Sequence, residues 1–335
     1  MLKILICGAG GFIGGHLASK FSKDKNIELI CADIKPLEYW FQNFDNSKNY
    51  SLDLKEFDNT LKVTQEVDYI FNFACNMGGM GFIENNKADC MLSVLVNTNL
   101  LRSAIKNKCK KFFFSSSACV YNSLKQKKTF IEGLKEEDAY PADPEDGYGW
   151  EKLFSERMCR HFTEDFGLET RVVRYHNIYG PVGTFDGGRE KAPAALCRKI
   201  IMAKKNKEKK IDVWGDGEQT RSFLYIDDCI KGTLNVFDSD KQDVFNIGSE
   251  EQVSINQMIE VIEEIADYKV EKNYQLDKPK GVRGRSSDNS FVTKEIGWKP
   301  SLTLKEGLTK TYAWIEQQIN SNSNIEKFCK SNIEK

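Results

Sequence analysis

The sequence predicts an α/β fold, a doubly wound parallel sheet with a smaller α/β domain beside it. Three observations carry this. The chain opens on an apolar run, Leu2–Cys7, that leads directly into the glycine loop Gly8-Ala9-Gly10-Gly11-Phe12-Ile13-Gly14. A second apolar run, 27–32, ends on Asp33. Strand-like and helix-like stretches then alternate to about residue 175, where the rhythm breaks; such alternation marks βαβ units and a parallel sheet.

Composition bounds the rest. The 335 residues suggest two domains with ample core. A formal net charge of -1 gives no overall field to attract nucleic acid or a membrane surface. No run of about 18 apolar residues is present, so no membrane span is expected. The first apolar run is too short for a signal peptide. Cys7, Cys31, Cys75, Cys90, Cys109, Cys119, Cys159, Cys197, Cys229 and Cys329 include no Cys-x-x-Cys pair, and the three histidines are scattered. No metal site is therefore expected, and the thiols read as reduced, in a cytoplasmic protein.

The elements follow in order. Leu2–Cys7 is apolar except for Lys3, as a strand buried on both faces should be. Gly8, Gly11 and Gly14 form a G-x-x-G-x-x-G loop before a helix through Leu17 and Phe21. In a Rossmann-type fold these glycines, with Phe12 and Ile13, let the backbone approach a pyrophosphate at the helix N-terminus. Asp33 at the end of the second strand can accept bonds from the adenosine ribose and repel a 2′-phosphate, which favours NAD over NADP, although Lys35 stands nearby. Leu52-Asp53-Leu54 would pass under the adenine; Asp53 reads as an acceptor for its amine, as a helix N-cap, or as both.

Residues 67–74 read as a third central strand leading to a mobile glycine-rich loop, Met77–Gly81, at the carboxyl edge of the sheet. Residues 86–108 read as one long helix and 111–117 as a strand that turns polar at Ser115-Ser116-Ser117. Tyr148 opens the next helix. Tyr148 and Lys152 stand at i and i+4 and so share a face; a lysine there is expected to lower the phenol's pKa toward working pH. Thr170–Arg174 is the fifth strand. Helices follow at 190–205, 227–238, 254–266 and 303–318, with a strand and turn at 212–217. The expected division is a dinucleotide domain, 1–175, with a return segment near 226–248, a substrate domain, 176–320, and a polar, fraying tail, 321–335.

Taken together, the glycine loop, Asp33, Ser115–Cys119 and Tyr148/Lys152 resemble the extended short-chain dehydrogenase/reductases that act on nucleotide sugars. More narrowly, the chain resembles the branch that epimerises GDP-mannose at carbons 3 and 5. The stretches that carry this are Met77–Ile83, Ser116–Cys119, His176–Pro181, Gly188–Ala195, Trp214–Phe223 and Gly281–Arg285. The likeness implies NAD as cofactor, a GDP-sugar substrate and a homodimer formed through helices near 86–108 and 148–165. It implies that Tyr148, with Lys152 and Ser117, deprotonates the carbon 4 hydroxyl as NAD takes the hydride, after which the ketone acidifies carbons 3 and 5. Cys119 resembles the family's base and Lys191 its opposing acid. The products implied are GDP-L-galactose and, by inversion at carbon 5 alone, GDP-L-gulose. Substrate contacts implied are Gly78, Ser117, Ala118, Cys119, Asn177, Glu190, Lys191, Ala192, Lys199, Gln219, Thr220, Arg221 and Arg285. Cys119 lies two residues beyond Ser117, so an extended backbone would point both side chains the same way. Arg221 and Arg285 are expected in loops, as an anion clamp.

Three positions depart from the family pattern. Asn76 stands where an acid is more common, Trp150 replaces a smaller apolar residue, and Asn122 replaces a proline. They leave mannose or a heptose open as the sugar. Other readings are a GDP-sugar 4-dehydrogenase, 4-epimerase or 4,6-dehydratase, or a non-catalytic NAD-binding sensor. A dehydratase needs an acid where this chain has Cys119, the 4-acting enzymes have no use for Cys119 and Lys191, and a sensor has no need of an intact Tyr148/Lys152 pair.

Overall fold

The computed structural model describes residues 1–321 and 326–329. Its centre is a seven-stranded sheet. Six strands are β1 (Leu2–Cys7), β2 (Ile27–Asp33), β3 (Ser47–Ser51), β4 (Tyr69–Asn72), β5 (Lys111–Ser117) and β6 (Glu169–Tyr175). With the strand Val244–Ile247 the spatial order is Val244–Ile247, β6, β5, β4, β1, β2, β3, and every pairing is parallel. The order reverses between β1 and β4, and a crevice opens there at the carboxyl ends of the strands.

Alternate residues of each strand feed opposite faces, as the two-residue period requires. Ile4, Ile6, Leu29, Cys31, Phe71, Phe113 and Val173 join one apolar cluster. Leu5, Cys7, Ile30, Ala32, Ile70, Phe112, Phe114 and Val172 join another on the opposite side. Helices cover both faces, which is why the interior strand positions are apolar without alternation. Truncating any of Phe71, Phe112 or Phe113, each fully buried, to alanine would cost roughly 3–5 kcal/mol.

After β6 the chain builds smaller sheets. Ile178–Tyr179 pairs in parallel with Leu224–Tyr225. Thr220–Ser222 is flanked by Gln252–Ser254, antiparallel, and Gly284–Arg285, parallel. Lys210–Trp214 pairs with Glu271–Gln275. Helices Ala192–Asn206, Ile255–Ala266 and Leu304–Ser321 pack among them. Arg221 and Arg285 therefore sit not in loops but opposite one another on paired strands.

Other expectations change in detail. The glycine-rich loop is shorter than its sequence suggests, because Gly79 starts a helix, Met80–Asn85. The stretch 86–108 is two helices, Lys87–Met91 and Ser93–Lys106, meeting at a turn at Leu92. In the polar tail, 322–325 and 330–335 lie outside the described residues. Glu326–Cys329 does not fray but forms a helical turn. There Phe328 is buried, its ring 5.2 Å from that of Phe41 and 5.0 Å from that of Trp314. All ten cysteines are free thiols. Among the described residues no helix is long and apolar enough to cross a membrane.

Candidate active site

A cleft of about 430 Å³ lies over the carboxyl edge of the sheet. Gly8, Gly11, Phe12, Ile13, Gly14, Asp33, Asp53, Ser117, Tyr148 and Lys191 all line it, so most of the residues expected around a cofactor meet there. Gly8 has φ +80°, and a Cβ on it would stand 2.8 Å from the carbonyl carbon of Phe73; only glycine suits this turn. The helix Phe12–Phe21 begins at Gly11 with no side-chain cap and no acid in its first turn. Its free N–H groups are thus left for an anion. Asp33 lines the cleft at the end of β2 and accepts the amide of Lys35 at 3.0 Å. Lys35 turns its amine onto the carbonyl of Gly10, 2.6 Å away, and over the ring of Phe41. The residues present fit NAD: a bare helix N-terminus for the pyrophosphate and a carboxylate for the ribose. Asp53 accepts the amide of Lys55 at 2.9 Å, whereas the N-cap of the following helix is Glu56.

The helix Asp146–Phe166 carries Tyr148 and Lys152 on one face, both buried. The lysine does not act on the phenol as its spacing suggests. Its Nζ lies 5.6 Å from the Tyr148 ring centroid, 4.7 Å from that of Phe114 and 3.5 Å from a carboxylate oxygen of Glu151. Burial raises the Tyr148 pKa well above its ordinary value. Neighbouring Cys75, Cys119 and Glu151 add to this, and the Ser117 hydroxyl pulls the other way. Burial opposes charge on Lys152, but Cys75 and Glu151 outweigh it and hold the amine protonated. Glu151 and Cys75 thus take the lysine, and the resting phenol is neutral.

Ser117 ends β5, and its hydroxyl accepts the backbone N–H of Cys119 at 3.2 Å. That bond bends the chain into a single 3₁₀ turn, Ala118–Val120. The extended alternation expected from Ser117 to Cys119 is therefore absent, yet both residues neighbour Tyr148. Cys119 is buried in a small cluster with Tyr148, Cys90 and Ile83. Burial pushes its thiol up to about 11, the Glu145 carboxylate adds to this, and Arg285 opposes it. Lys191, at the N-cap of Ala192–Asn206, has its pKa lowered by burial, against the raising influence of Cys119 and Cys75. A thiol held protonated, beside Tyr148, and an amine inclined to lose its proton, in the same cleft, are thus electrostatic neighbours.

The expected substrate contacts divide. Arg285 reaches Cys119, Glu145 and Gln126. Arg221, buried, donates to the carbonyls of Thr220 and Lys280, and burial with Arg285 brings its pKa down to about 10. Gly78 packs on the ring of Phe82. Ala118 is buried in the 3₁₀ turn and Ala192 opens its helix. Asn177 spends its amide on the Ser222 carbonyl, and Gln219 on that of Trp214. Thr220 donates to the Thr129 carbonyl. Glu190 accepts the Gly188 amide. Lys199 faces a different hollow, lined by Met202, Ile211 and Trp214, and donates to the Asp212 carbonyl at 2.7 Å.

Several residues of the site are not among the expected site residues. Cys75, Asn76 and Arg189 line the cleft. Arg189 donates to Asn76 Oδ1 at 3.0 Å and to the Met77 carbonyl at 3.1 Å. Lys327, from the tail, also lines it.

Comparison with known proteins decides the family. Residues 4–248 match the NAD dependent epimerase/dehydratase family. The chain belongs to that family. It is therefore an NAD-dependent enzyme of the epimerase type. Among its relatives, GDP-mannose 3,5-epimerase 1 of Oryza sativa subsp. indica is 47% identical over 95% of this chain and 82% of its own. GDP-mannose 3,5-epimerase of Arabidopsis thaliana is 46% identical over 95% of this chain and 83% of its own. Among solved structures of the family's fold, UDP-glucuronic acid 4-epimerase from Bacillus cereus, in complex with UDP-glucuronic acid and NAD, superposes with a TM-score of 0.80 at 26% identity, covering 94% and 99% of the two chains. UDP-glucose 4-epimerase from Thermotoga maritima superposes with a TM-score of 0.85 at 24% identity, covering 95% and 100%.

Proposed function

We propose that the chain is a GDP-mannose 3,5-epimerase, converting GDP-D-mannose to GDP-L-galactose, with GDP-L-gulose as the product of inversion at carbon 5 alone. The carrying observation is the 46–47% identity to such epimerases over 95% of the chain. Cys119 neighbours both Tyr148 and Lys191, and the last two line one cleft, which supports it.

NAD, when bound, accepts a hydride from carbon 4 and later returns it. Tyr148 takes the proton of the carbon 4 hydroxyl as a phenolate, so its own proton leaves to solvent first, a loss that Ser117 and the Lys152 ammonium over its ring favour. The ketone so formed delocalises a carbanion at carbon 3 or carbon 5 as an enolate. Cys119 removes the ring proton and Lys191 supplies one from the opposite face. Burial keeps the phenol and the thiol protonated at rest, so each gives up its own proton before or as it takes one from the sugar. Arg221, which has no carboxylate bonded to it among the described residues, is the cation best suited to the diphosphate.

Three further assignments belong to this reading. The Rossmann part, 1–175 with 226–248, holds the cofactor, and 176–320 holds the sugar nucleotide. A homodimer forms through the helices Lys87–Met91, Ser93–Lys106 and Asp146–Phe166, which expose Met91, Leu95, Trp150 and Phe154, with Leu92 exposed at the turn between the first two. The compartment is the cytoplasm, consistent with ten free thiols.

The test is incubation with GDP-mannose in deuterated water, followed by mass spectrometry of the sugar. Deuterium is expected at carbons 3 and 5. Its absence from both, with NAD bound, would remove the assignment.

A further inference from the structure

Glu145 stands at the N-cap of the tyrosine helix, where a carboxylate ordinarily accepts from the first free N–H groups. It makes no such bond. Its carboxylate turns instead to Arg285, whose Nη2 lies 2.8 Å from Oε2. The same guanidinium donates to Cys119 Sγ at 3.6 Å and to Gln126 Oε1 at 2.6 Å. The Arg285 side chain is 4% exposed and that of Glu145 12%. The backbone reinforces the approach: the Glu145 amide donates to the Cys119 carbonyl at 2.8 Å. A Cβ on Gly149 would stand 2.4 Å from that same carbonyl oxygen, so the helix and the cysteine turn meet without an intervening side chain. The Cys119 thiol and the Glu145 carboxylate thus share one guanidinium, that of Arg285.

A guanidinium alone would draw a thiol toward thiolate. Here a carboxylate shares it. Burial works against charge on Glu145, yet Arg285, the thiol and Arg221 hold its pKa below the ordinary range. The pair therefore rests as thiol and carboxylate. Arg285, Lys191, Arg221, Glu145 and Tyr148 face Cys119, while Glu84 and Arg221 add their fields at Glu145.

An epimerase that inverts two centres with one thiol has a proton problem. Once the sulfur holds a ring proton, it cannot take the second until the first has left. We propose that Glu145 is a positioning residue and proton relay for Cys119, a role that rests on the epimerase reading above. As the sulfur takes a ring proton, the bond to its own proton breaks and that proton passes to a Glu145 oxygen. The electron pair of the C–H bond stays on the sugar as the enolate. Cys119 ends as a thiol again, and Glu145 ends protonated. Glu145 then releases the proton through its exposed edge and is ready for the second centre.

The test compares wild type with Glu145→Gln, NAD bound, using GDP-mannose in deuterated water. The glutamine can still accept from Arg285 but cannot take a proton. Reduction of the nicotinamide at 340 nm is expected to persist, and exchange at carbons 3 and 5 to fall at least about tenfold. The pH of half-maximal alkylation of Cys119 by iodoacetamide, read on its peptide, is expected to move down, because the charge that raised the thiol is gone. Exchange at the wild-type rate or faster, or an unmoved alkylation midpoint, would overturn the relay. Should Glu145→Gln fail to bind NAD, Glu145→Asp withdraws the carboxylate by one methylene. Reduced exchange with carbon 4 oxidation kept is then expected, and undiminished exchange overturns the proposal. If wild type itself incorporates no deuterium, the epimerase reading has failed, and the alkylation midpoint still judges the coupling of Glu145 to Cys119.

Discussion

The ammonium of Lys152 stands 3.5 Å from the carboxylate of its chain neighbour Glu151, and neither residue is more than 3% exposed. Ser155 donates to the other carboxylate oxygen at 3.0 Å, while Glu151 Oε2 accepts no hydrogen bond among the described residues. Removing the lysine leaves a buried charge with little else to compensate it. Lys152→Met is expected to cost roughly 3–5 kcal/mol, and adding Glu151→Gln to recover at least half of it. Urea unfolding of the three proteins is the measurement. A double variant as unstable as the single one would show that the pair is not coupled.

Alkaline pH should loosen the fold through its buried thiols. Burial pushes Cys31 up to about 12 and Cys119 up to about 11, while in the unfolded chain a thiol titrates at about 8.5. Between those limits the unfolded state has released its protons and the native state has kept them. Stability is thus fully present below about pH 8.5 and is lost as pH rises toward 11, by about 1.4 kcal/mol per pH unit for each such thiol. The Tm under reducing conditions should be level from pH 7 to 8 and fall from 9 to 10.5. A level Tm across the whole range would mean that the thiols are solvated.

How far the sequence reveals this site depends on what each signal encodes. The strands 2–7 and 27–33 are legible because burial on two faces keeps their interior positions, 4–7 and 29–32, apolar without alternation. The i, i+4 spacing correctly put Tyr148 and Lys152 on one face, but spacing says nothing about who else competes for an ammonium. Glu151 and Cys75 do so through the fold. The Ser117 to Cys119 alternation failed because a local hydroxyl bond to the Cys119 amide outweighed the strand period. Glu145 carries no motif, and the motif around Arg189 names no partner for it; their partners Arg285 and Asn76 lie more than a hundred residues away. Phe328 was hidden by the polar composition around it, since composition averages over a segment and one aromatic can anchor a turn.

Cofactor choice should rest on Asp33. Its carboxyl is buried, and its pKa is raised by burial against the pull of Lys35 and nearby amides. Two unit charges about 4 Å apart near a protein surface repel by about 4 kcal/mol, which a 2′-phosphate would meet here. The Lys35 ammonium, donating to the Gly10 carbonyl, offsets part of this repulsion. Asp33→Asn keeps the shape and is expected to shrink the preference for NAD over NADP at least about tenfold. Calorimetric Kd values for both nucleotides on the apoprotein measure this. An unchanged ratio would place the discrimination elsewhere.

The last expectation concerns how Lys191 is aimed. Two residues before it, Arg189 is laced to the glycine-rich loop: its Nη1 donates to Asn76 and to the Met77 carbonyl, and its own carbonyl accepts the Gly79 amide at 3.1 Å. Asn76 is pinned in turn, its amide donating to Ser93 Oγ at 2.9 Å. Cutting one bond to a charged donor costs about 1.5–3 kcal/mol, enough to let the segment 188–191 drift from the ring. Since 1.36 kcal/mol is a tenfold change in rate, Asn76→Ala should slow exchange at carbons 3 and 5 by about tenfold or more. Oxidation at carbon 4, which the proposed mechanism gives to Tyr148 on another element, should change far less. Asn76→Asp offers Arg189 a carboxylate at the same place and should keep the exchange. Deuterium incorporation by Asn76→Ala at the wild-type rate would mean that Lys191 is held by its own helix and not by this lacing.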